Sequence, residues 1–389
     1  MAASVGLTVN TDGVFYIEMS RAIGISRGAV ASITSISGMC GALIMPVTLR
    51  LYKKTSLKPV IFSGIACSAL SCVGMMLSRS AFMLYFWASL RGFSITCYNS
   101  TLLTVLLTDW FVDRLGLISG IVFSASGLGG AVFNPIFSAI ITASGVRAAL
   151  LFRALVIVLL TLPGTVLFLH EKPREVGLEP YRSAVGEKKK LSPEGNDDFS
   201  QPVRLRSLCF VLLMSFYIFV QATSRVGDNL AGYADSLGMT PAQGAALASS
   251  LMVGNVVSKL FLGALNDRIG IVRAAMVGLV ITTVSVLLLL LPGMGFGVLL
   301  GASFFSGTAT AVATVSAVGL VRHVYGNRGF TAAMAVVSPF SALYALITGA
   351  YGLLYDLTGG YLATFALIIA VNLVSLAFLP FIAGQRSAA

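Results

Sequence analysis

The 389-residue chain is 57% hydrophobic and 11% charged, where soluble domains carry about 25% charged residues; a soluble fold would need about a dozen helices with no face for solvent, and that class is excluded. Lys and Arg number 26 against 15 Asp and Glu, a formal charge of +11. The bases fall in short loops between apolar runs and form no stripe or patch, which excludes nucleic acid as a partner.

A helix needs roughly 20 apolar residues to cross the hydrocarbon core, and isolated strands cannot satisfy their backbone groups there. Stretches of this kind predict helices over 2–19, 29–50, 58–78, 81–107, 115–141, 147–169, 205–225, 242–265, 271–291, 295–321, 329–353 and 360–382. The expected fold is an all-α membrane protein of twelve transmembrane helices in two pseudo-symmetric six-helix bundles, 1–169 and 205–389, joined by a cytoplasmic linker over 170–204. The first helix begins at Met1 without a basic anchor, so either an upstream piece or a shortened first helix is expected. No cleavable signal peptide is expected, since that segment has no basic start and no small-residue cleavage context. The linker holds Glu187-Lys188-Lys189-Lys190 and Asn196-Asp197-Asp198. It reads as a mobile, topology-setting segment whose basic cluster also suits anionic lipid.

With the amino terminus in the cytoplasm, 18 bases fall on the inner side. Five fall on the outer side, Arg21, Arg27, Arg79, Arg147 and Arg225. This positive-inside bias predicts a multi-pass protein of the cell inner (plasma) membrane with both termini cytoplasmic. The remaining three bases, Arg91, Arg153 and Lys259, lie within spans, where a charge is costly and seldom kept without a use. The five Cys sit in apolar segments without metal or disulfide spacing, and two His are too few for a histidine-based site. No metal, cofactor or catalytic constellation is expected, and the chain is not read as an enzyme.

An internal repeat is visible. Asp113-Arg114-Leu115-Gly116 leads into Gly120, Gly127, Gly129, Gly130 and Pro135. Asn327-Arg328-Gly329-Phe330 leads into Pro339, Gly349 and Gly352. Each opens the fifth helix of its half. Repeated halves characterise many secondary transporters, whose substrate site lies between them near mid-membrane. Gly127 and Gly130 remove side-chain bulk, so that two helices approach closely and rock, and Pro135 favours a kink. Tight packing without motion is the alternative.

Further motifs carry a resemblance to a known family. Gly263-Ala264-Leu265-Asn266-Asp267-Arg268-Ile269-Gly270 resembles the cytoplasmic gating motif of the major facilitator superfamily, which implies gating roles for Gly263, Asp267 and Arg268. The equivalent stretch at 46–54 lacks both the glycine and the acid. Within that superfamily the chain is similar to the monocarboxylate transporters and oxalate/formate antiporters. The matching segments are Asn10-Thr11-Asp12-Gly13-Val14-Phe15-Tyr16, Asp109-Trp110-Phe111-Val112-Asp113-Arg114-Leu115-Gly116, Gly127-Leu128-Gly129-Gly130 through Pro135, Gly145-Val146-Arg147-Ala148-Ala149 and Lys172-Pro173-Arg174-Glu175-Val176-Gly177-Leu178. The resemblance implies transport of organic anions with a proton or in exchange for a counter-anion. It departs from the group at Asn10, where a Lys is usual, and on helix 8, where Asn255 and Lys259 replace an Asp and an Arg. The positive charge survives and the proton-accepting acid does not, which leaves Asp12 as the candidate coupling acid.

Lys259 and Asn255, one turn apart, share a helix face. The ammonium offers a point charge to a carboxylate, and the amide offers a donor and an acceptor. Snorkelling of Lys259 to the inner surface is the alternative. Arg91 lies deep in helix 4, and the resemblance implies a part in substrate binding or coupling, with Asp12 and Glu18 as candidate partners. Arg153 reads as snorkelling or as a structural ion pair. Asn10, Asp12, Tyr16, Tyr98, Asn99 and Asn134 complete the expected lining. The expected function is secondary transport of small organic anions, mono- or dicarboxylates, by a monomer using alternating access as a proton symporter or anion exchanger. A non-transporting sensor derived from a transporter, or a carrier of neutral or cationic solutes, remains open.

Overall fold

The computed structural model describes residues 2–98, 102–103, 106–107, 110–111, 115–167, 169–181, 207–291, 293–340 and 343–384. The expected site residue Asn99 lies outside them, as do Asp109, Asp113, Arg114 and most of the linker. Apart from one isolated bridge between Phe111 and Tyr181, the described residues are helical or in turns.

Helices α1 (Asp12–Ile23), α2 (Arg27–Lys54), α3 (Leu57–Leu77), α4 (Ala81–Thr96) and α5 (Leu115–Leu167) make up the first half. The second half holds α6 (Leu208–Thr223), α7 (Gly227–Ser236), α8 (Pro241–Ile269), α9 (Ile271–Leu290), α10 (Phe296–Ser306), α11 (Thr308–Ala311), α12 (Ala317–Phe340), α13 (Tyr344–Thr358) and α14 (Leu362–Gly384). Their ends follow local chemistry. Ser26, Ser80 and Ser207 cap α2, α4 and α6 through their hydroxyls. Thr240 and Gln243 form a reciprocal cap on α8 ahead of Pro241. Gly24 and Gly359 end α1 and α13 in the left-handed region.

Eight described helical segments are long and apolar enough to cross a membrane. The longest, Ile121–Leu167, has 47 residues and is two legs rather than one rod. Gly145, at φ 84° and ψ 168°, leaves the helical region, and Phe137 before it packs edge-on against Phe152 after it. Pro135 lies inside α5. Large apolar side chains such as Phe82, Leu128, Leu159 and Leu362 face outward, as lipid requires and water would not tolerate over so much surface.

Three predicted spans change. The first, expected as one helix over 2–19, begins with a π turn at Ala2–Gly6 and leaves the helix over 9–11 before α1 starts at Asp12. Thr8 and Thr11 donate to the carbonyls of Ser4 and Leu7, a local competition that loosens helices. The fourth, expected over 81–107, leaves α4 after Thr96 in a turn at 97–98, where Ser94 and Thr96 bond back to Arg91 and Phe93, and is helical again at 102–103 and 106–107. The seventh, expected to stop at Arg225, runs on through a 3-10 turn at Ser224–Val226 into α7. Arg225 is therefore a fourth base inside a span and not part of an outer loop.

One core cluster, around Phe15 and Phe137, serves the first half, and two, around Phe216 and Phe365, serve the second. The halves touch along α5 with α8, α2 with α13 and α1 with α7. At one end of the bundle they are latched. Arg27 donates to Asp235 and to the Tyr355 hydroxyl, the latter at 2.9 Å, and Arg21 reaches Asp235 at 3.4 Å. Ser26 donates to Asp356 at 2.7 Å, Ser35 and Thr348 meet at 2.9 Å, and Gly28 lies directly on Gly352. Among the described residues, ion pairs between the halves occur at this end alone.

Candidate functional site

The break before α1 puts Asp12 at the start of a helix inside the bundle, 2% exposed. Its Oδ1 accepts from Arg91 Nη1 and from Arg153 Nη2, each at 2.8 Å. Its Oδ2 accepts from Thr34 at 3.4 Å, and the Thr34 hydroxyl bonds that of Tyr16. Arg91 also donates from Nε to Ser37 at 3.1 Å, and the Arg153 guanidinium lies 5.1 Å over the Phe15 ring. Four helices thus converge on one carboxylate. Two arginines against one acid leave this buried cluster with a net positive charge. Arg153 is an ion-paired residue here, not a snorkelling one, and Arg91 spends its fork on Asp12 and Ser37. Glu18, the other expected partner, pairs instead with Arg21.

The second group lies where α5 crosses α8. A Cβ on Gly127 would stand 2.9 Å from Val256 and 3.0 Å from the Met252 carbonyl, and one on Gly130 would meet Asn10 and Met252 at 2.9 Å. Only glycine permits this approach. The crossing buries Asn255 and Lys259, 1% and 7% exposed. Lys259 Nζ has the Phe123 carbonyl at 3.5 Å, at the outer limit of a hydrogen bond, and no acid within ion-pair distance among the described residues. Asn255 Oδ1 has no hydrogen-bond partner. Asn10 donates to the Ser126 carbonyl at 2.8 Å, Asn134 donates to the Asn10 carbonyl at 3.4 Å, and Asn134 Oδ1 is likewise unpartnered. Buried acceptors without partners are costly; the Asn255 acceptor lies one helical turn from the Lys259 ammonium, and the Asn134 acceptor, further along α5, lies beside Asn10.

The expected lining therefore divides. Asn10, Asn134, Asn255 and Lys259 gather at the crossing of α5 and α8, whereas Asp12, Tyr16 and Arg91 form the adjoining ion-pair cluster. Tyr98 belongs to neither, since its hydroxyl engages Ser68 at 3.2 Å and Ser94 at 3.3 Å inside the first half. Asp267 and Arg268 are exposed on the last turn of α8 rather than in a loop, with no ion pair among the described residues, and a Cβ on Gly263 would meet nothing.

Sequence reasoning missed a second charged pair. Arg225 and Asp228 approach to 4.0 Å, and Arg225 also reaches the Tyr344 hydroxyl at 3.3 Å. Their spacing of three inside an otherwise apolar segment was the available signal. The latch residues Asp235 and Asp356 carried none, because their partners lie more than 200 residues away in sequence.

The comparisons with known proteins agree with this architecture. The sequence profile described as Major Facilitator Superfamily matches residues 1–227 and, again, 226–387. Probable transporter MCH2 of Saccharomyces cerevisiae is 24% identical over 344 residues, covering 84% of this chain and 69% of that protein. Monocarboxylate transporter 12-B of Danio rerio is 26% identical over 389 residues, covering 91% and 79%. Among solved structures, the nucleoside transporter NupG superposes with a TM-score of 0.74 at 11% identity, covering 99% of this chain and 97% of that one. The peptide transporter POT gives 0.70 at 14% identity, covering 98% and 93%. Proteins of this fold move solutes by alternating access and are not enzymes, and among the described residues no group of acids, histidines and cysteines forms a metal site. This chain belongs to the Major Facilitator Superfamily.

Proposed function

We propose that the protein is a twelve-span secondary transporter of small organic anions, working as a monomer in the plasma membrane with both termini in the cytoplasm. The observation that carries the reading is Lys259: a buried ammonium without an acid, on the contact between the halves, one turn from an amide with a free acceptor. A carboxylate supplies the missing counter-charge, and a hydroxyl or water beside it supplies the donor that Asn255 lacks. The net positive cluster around Asp12 raises the local potential for an anion without itself needing to bind one. Asn10 and Asn134 complete the polar wall. The resemblance to a monocarboxylate transporter supports the same class of solute.

In the orientation favoured by the bases, the latched end is the outer one, so this conformation is closed to the outside. Gly127 and Gly130 let α5 rock on α8 as the latch opens. Asp267 and Arg268 take their gating role when the opposite end closes. Purified protein in proteoliposomes, tested for uptake of labelled mono- and dicarboxylates, is expected to transport at least one of them. Lys259→Ala is expected to weaken its apparent affinity by about tenfold or more, the worth of one charge-assisted hydrogen bond. Unchanged anion affinity in that variant refutes the reading.

A further inference from the structure

We propose that Asp228 is the proton-binding group that couples this transporter to pH, and that its protonation favours closure of the latched end. The proposal deepens the anion-transport reading and rests on it. The acid that the sequence marks for this task, Asp12, is poorly placed. Both its oxygens are engaged, and a proton there would leave two arginines buried against a neutral group.

Asp228 differs in three respects. Its own cation is loosely held: Arg225 stands at 4.0 Å and is shared with Tyr344, whose ring lies 5.7 Å beneath the guanidinium. Its position is on the moving contact: a Cβ on Gly13 of α1 would stand 2.8 Å from the Asp228 carbonyl oxygen, so α1 and α7 meet at this residue. Its side chain is reachable: it is 17% exposed and lines a small cavity with Tyr16, Arg27, Tyr355 and Tyr361.

Tyr16 of α1 lines the same cavity, and Asp12, paired with Arg91, adjoins Gly13, the residue of α1 that meets Asp228. Arg27 of α2, Tyr355 of α13 and Tyr361 share its cavity, and on its own side it has Arg225. Of the other helices packed on α7, α8 turns Leu251 and Met252 toward it at Gly227, and α10 has no ionisable residue. Closing α1 onto α7 therefore draws the Asp228 carboxylate out of water while its own cation stands no nearer than 4.0 Å. Forming the O–H bond on Asp228 removes the charge that closure would otherwise desolvate, so the closed contact and the bound proton stabilise each other.

The test needs no knowledge of the solute. Spin labels on Ala22→Cys and Leu357→Cys, exposed residues on opposite sides of the latch, report its opening by electron–electron distance measurement. Cys40 and Cys67, the two half-exposed native cysteines, are replaced by serine. The closed-to-open ratio in the reconstituted protein is expected to rise about threefold or more from pH 8 to pH 5.5. Asp228→Asn is expected to abolish that dependence and hold the latch closed at both pH values, while Asp228→Glu, which keeps the acid, retains it. An Asn variant that keeps the pH profile overturns the proposal. A flat profile in the unsubstituted protein overturns it without any Asp228 variant. Either result leaves the Lys259 affinity test, and with it the anion reading, untouched.

Discussion

Replacing Asp12 by alanine leaves two guanidinium groups, Arg91 and Arg153, buried at 3% and 2% exposure with no acid between them. Removing one partner of a buried ion pair costs about 3–5 kcal/mol, and here a single substitution orphans two. Removing either arginine is a different perturbation. Arg153→Met leaves Arg91 paired with Asp12 one to one, and the cluster loses its excess charge. Lost charge-assisted hydrogen bonding of about 1.5–3 kcal/mol is then offset by relief of arginine–arginine repulsion and of desolvation, for a net cost of about 0–2 kcal/mol. The order of damage is therefore Asp12→Ala well above Arg153→Met, although the arginine is the larger side chain. At about 2 °C per kcal/mol for a large chain, the apparent melting temperature in detergent should fall by about 6–10 °C for Asp12→Ala and by less than about 4 °C for Arg153→Met. Equal losses would refute the reading of the cluster as two cations sharing one anion.

Other outcomes follow from the latch and the helix contacts. The pair Ser35→Cys and Thr348→Cys, whose native hydroxyls are 2.9 Å apart, should crosslink under mild oxidation, blocking flux until a reductant is added; uninhibited flux after complete crosslinking would exclude opening at this seam. Asp235→Asn removes a carboxylate from Arg21 and Arg27 in a partly exposed setting; such pairs are worth about 1 kcal/mol or less, so labelling of cysteines placed in the seam should increase with little change in melting temperature. Gly254→Ala would drive a Cβ into the Phe304 carbonyl, backbone that cannot turn aside, and overpacking of about 1–3 kcal/mol or more should appear as poor yield of folded protein. Gly263→Ala, which meets nothing, should express normally.

Much of this was legible in the chain. Apolar runs marked the spans, because hydropathy is summed over neighbours in sequence and needs no tertiary information. Spacing put Asn255 and Lys259 on one helix face, and Gly127 and Gly130 announced a close helix contact. The misreadings share a cause. The seventh span was ended at Arg225 because a base was taken as a boundary, whereas Asp228 and Tyr344 let that base stay inside. Asp12 and Glu18 are both candidate partners for Arg91, and the sequence does not choose between them because Asp12 is 79 residues away; Arg153, at 141 residues, offers no local sign of the same partner. Tyr98 shares its composition with a lining residue and its surroundings with a core residue.

The sequence by itself determined that this is a helical membrane bundle with an excess of bases on one side, and that three of its helices hold bases where lipid would reject them; the structure adds Arg225 as a fourth. Only the tertiary structure decided which of those charges are neutralised. Pairing depends on how each helix is rotated about its axis and on which helices cross, and both are set by packing among residues far apart in the chain. That packing gives Arg91 and Arg153 a shared acid, gives Arg225 a loose one, and leaves Lys259 with none.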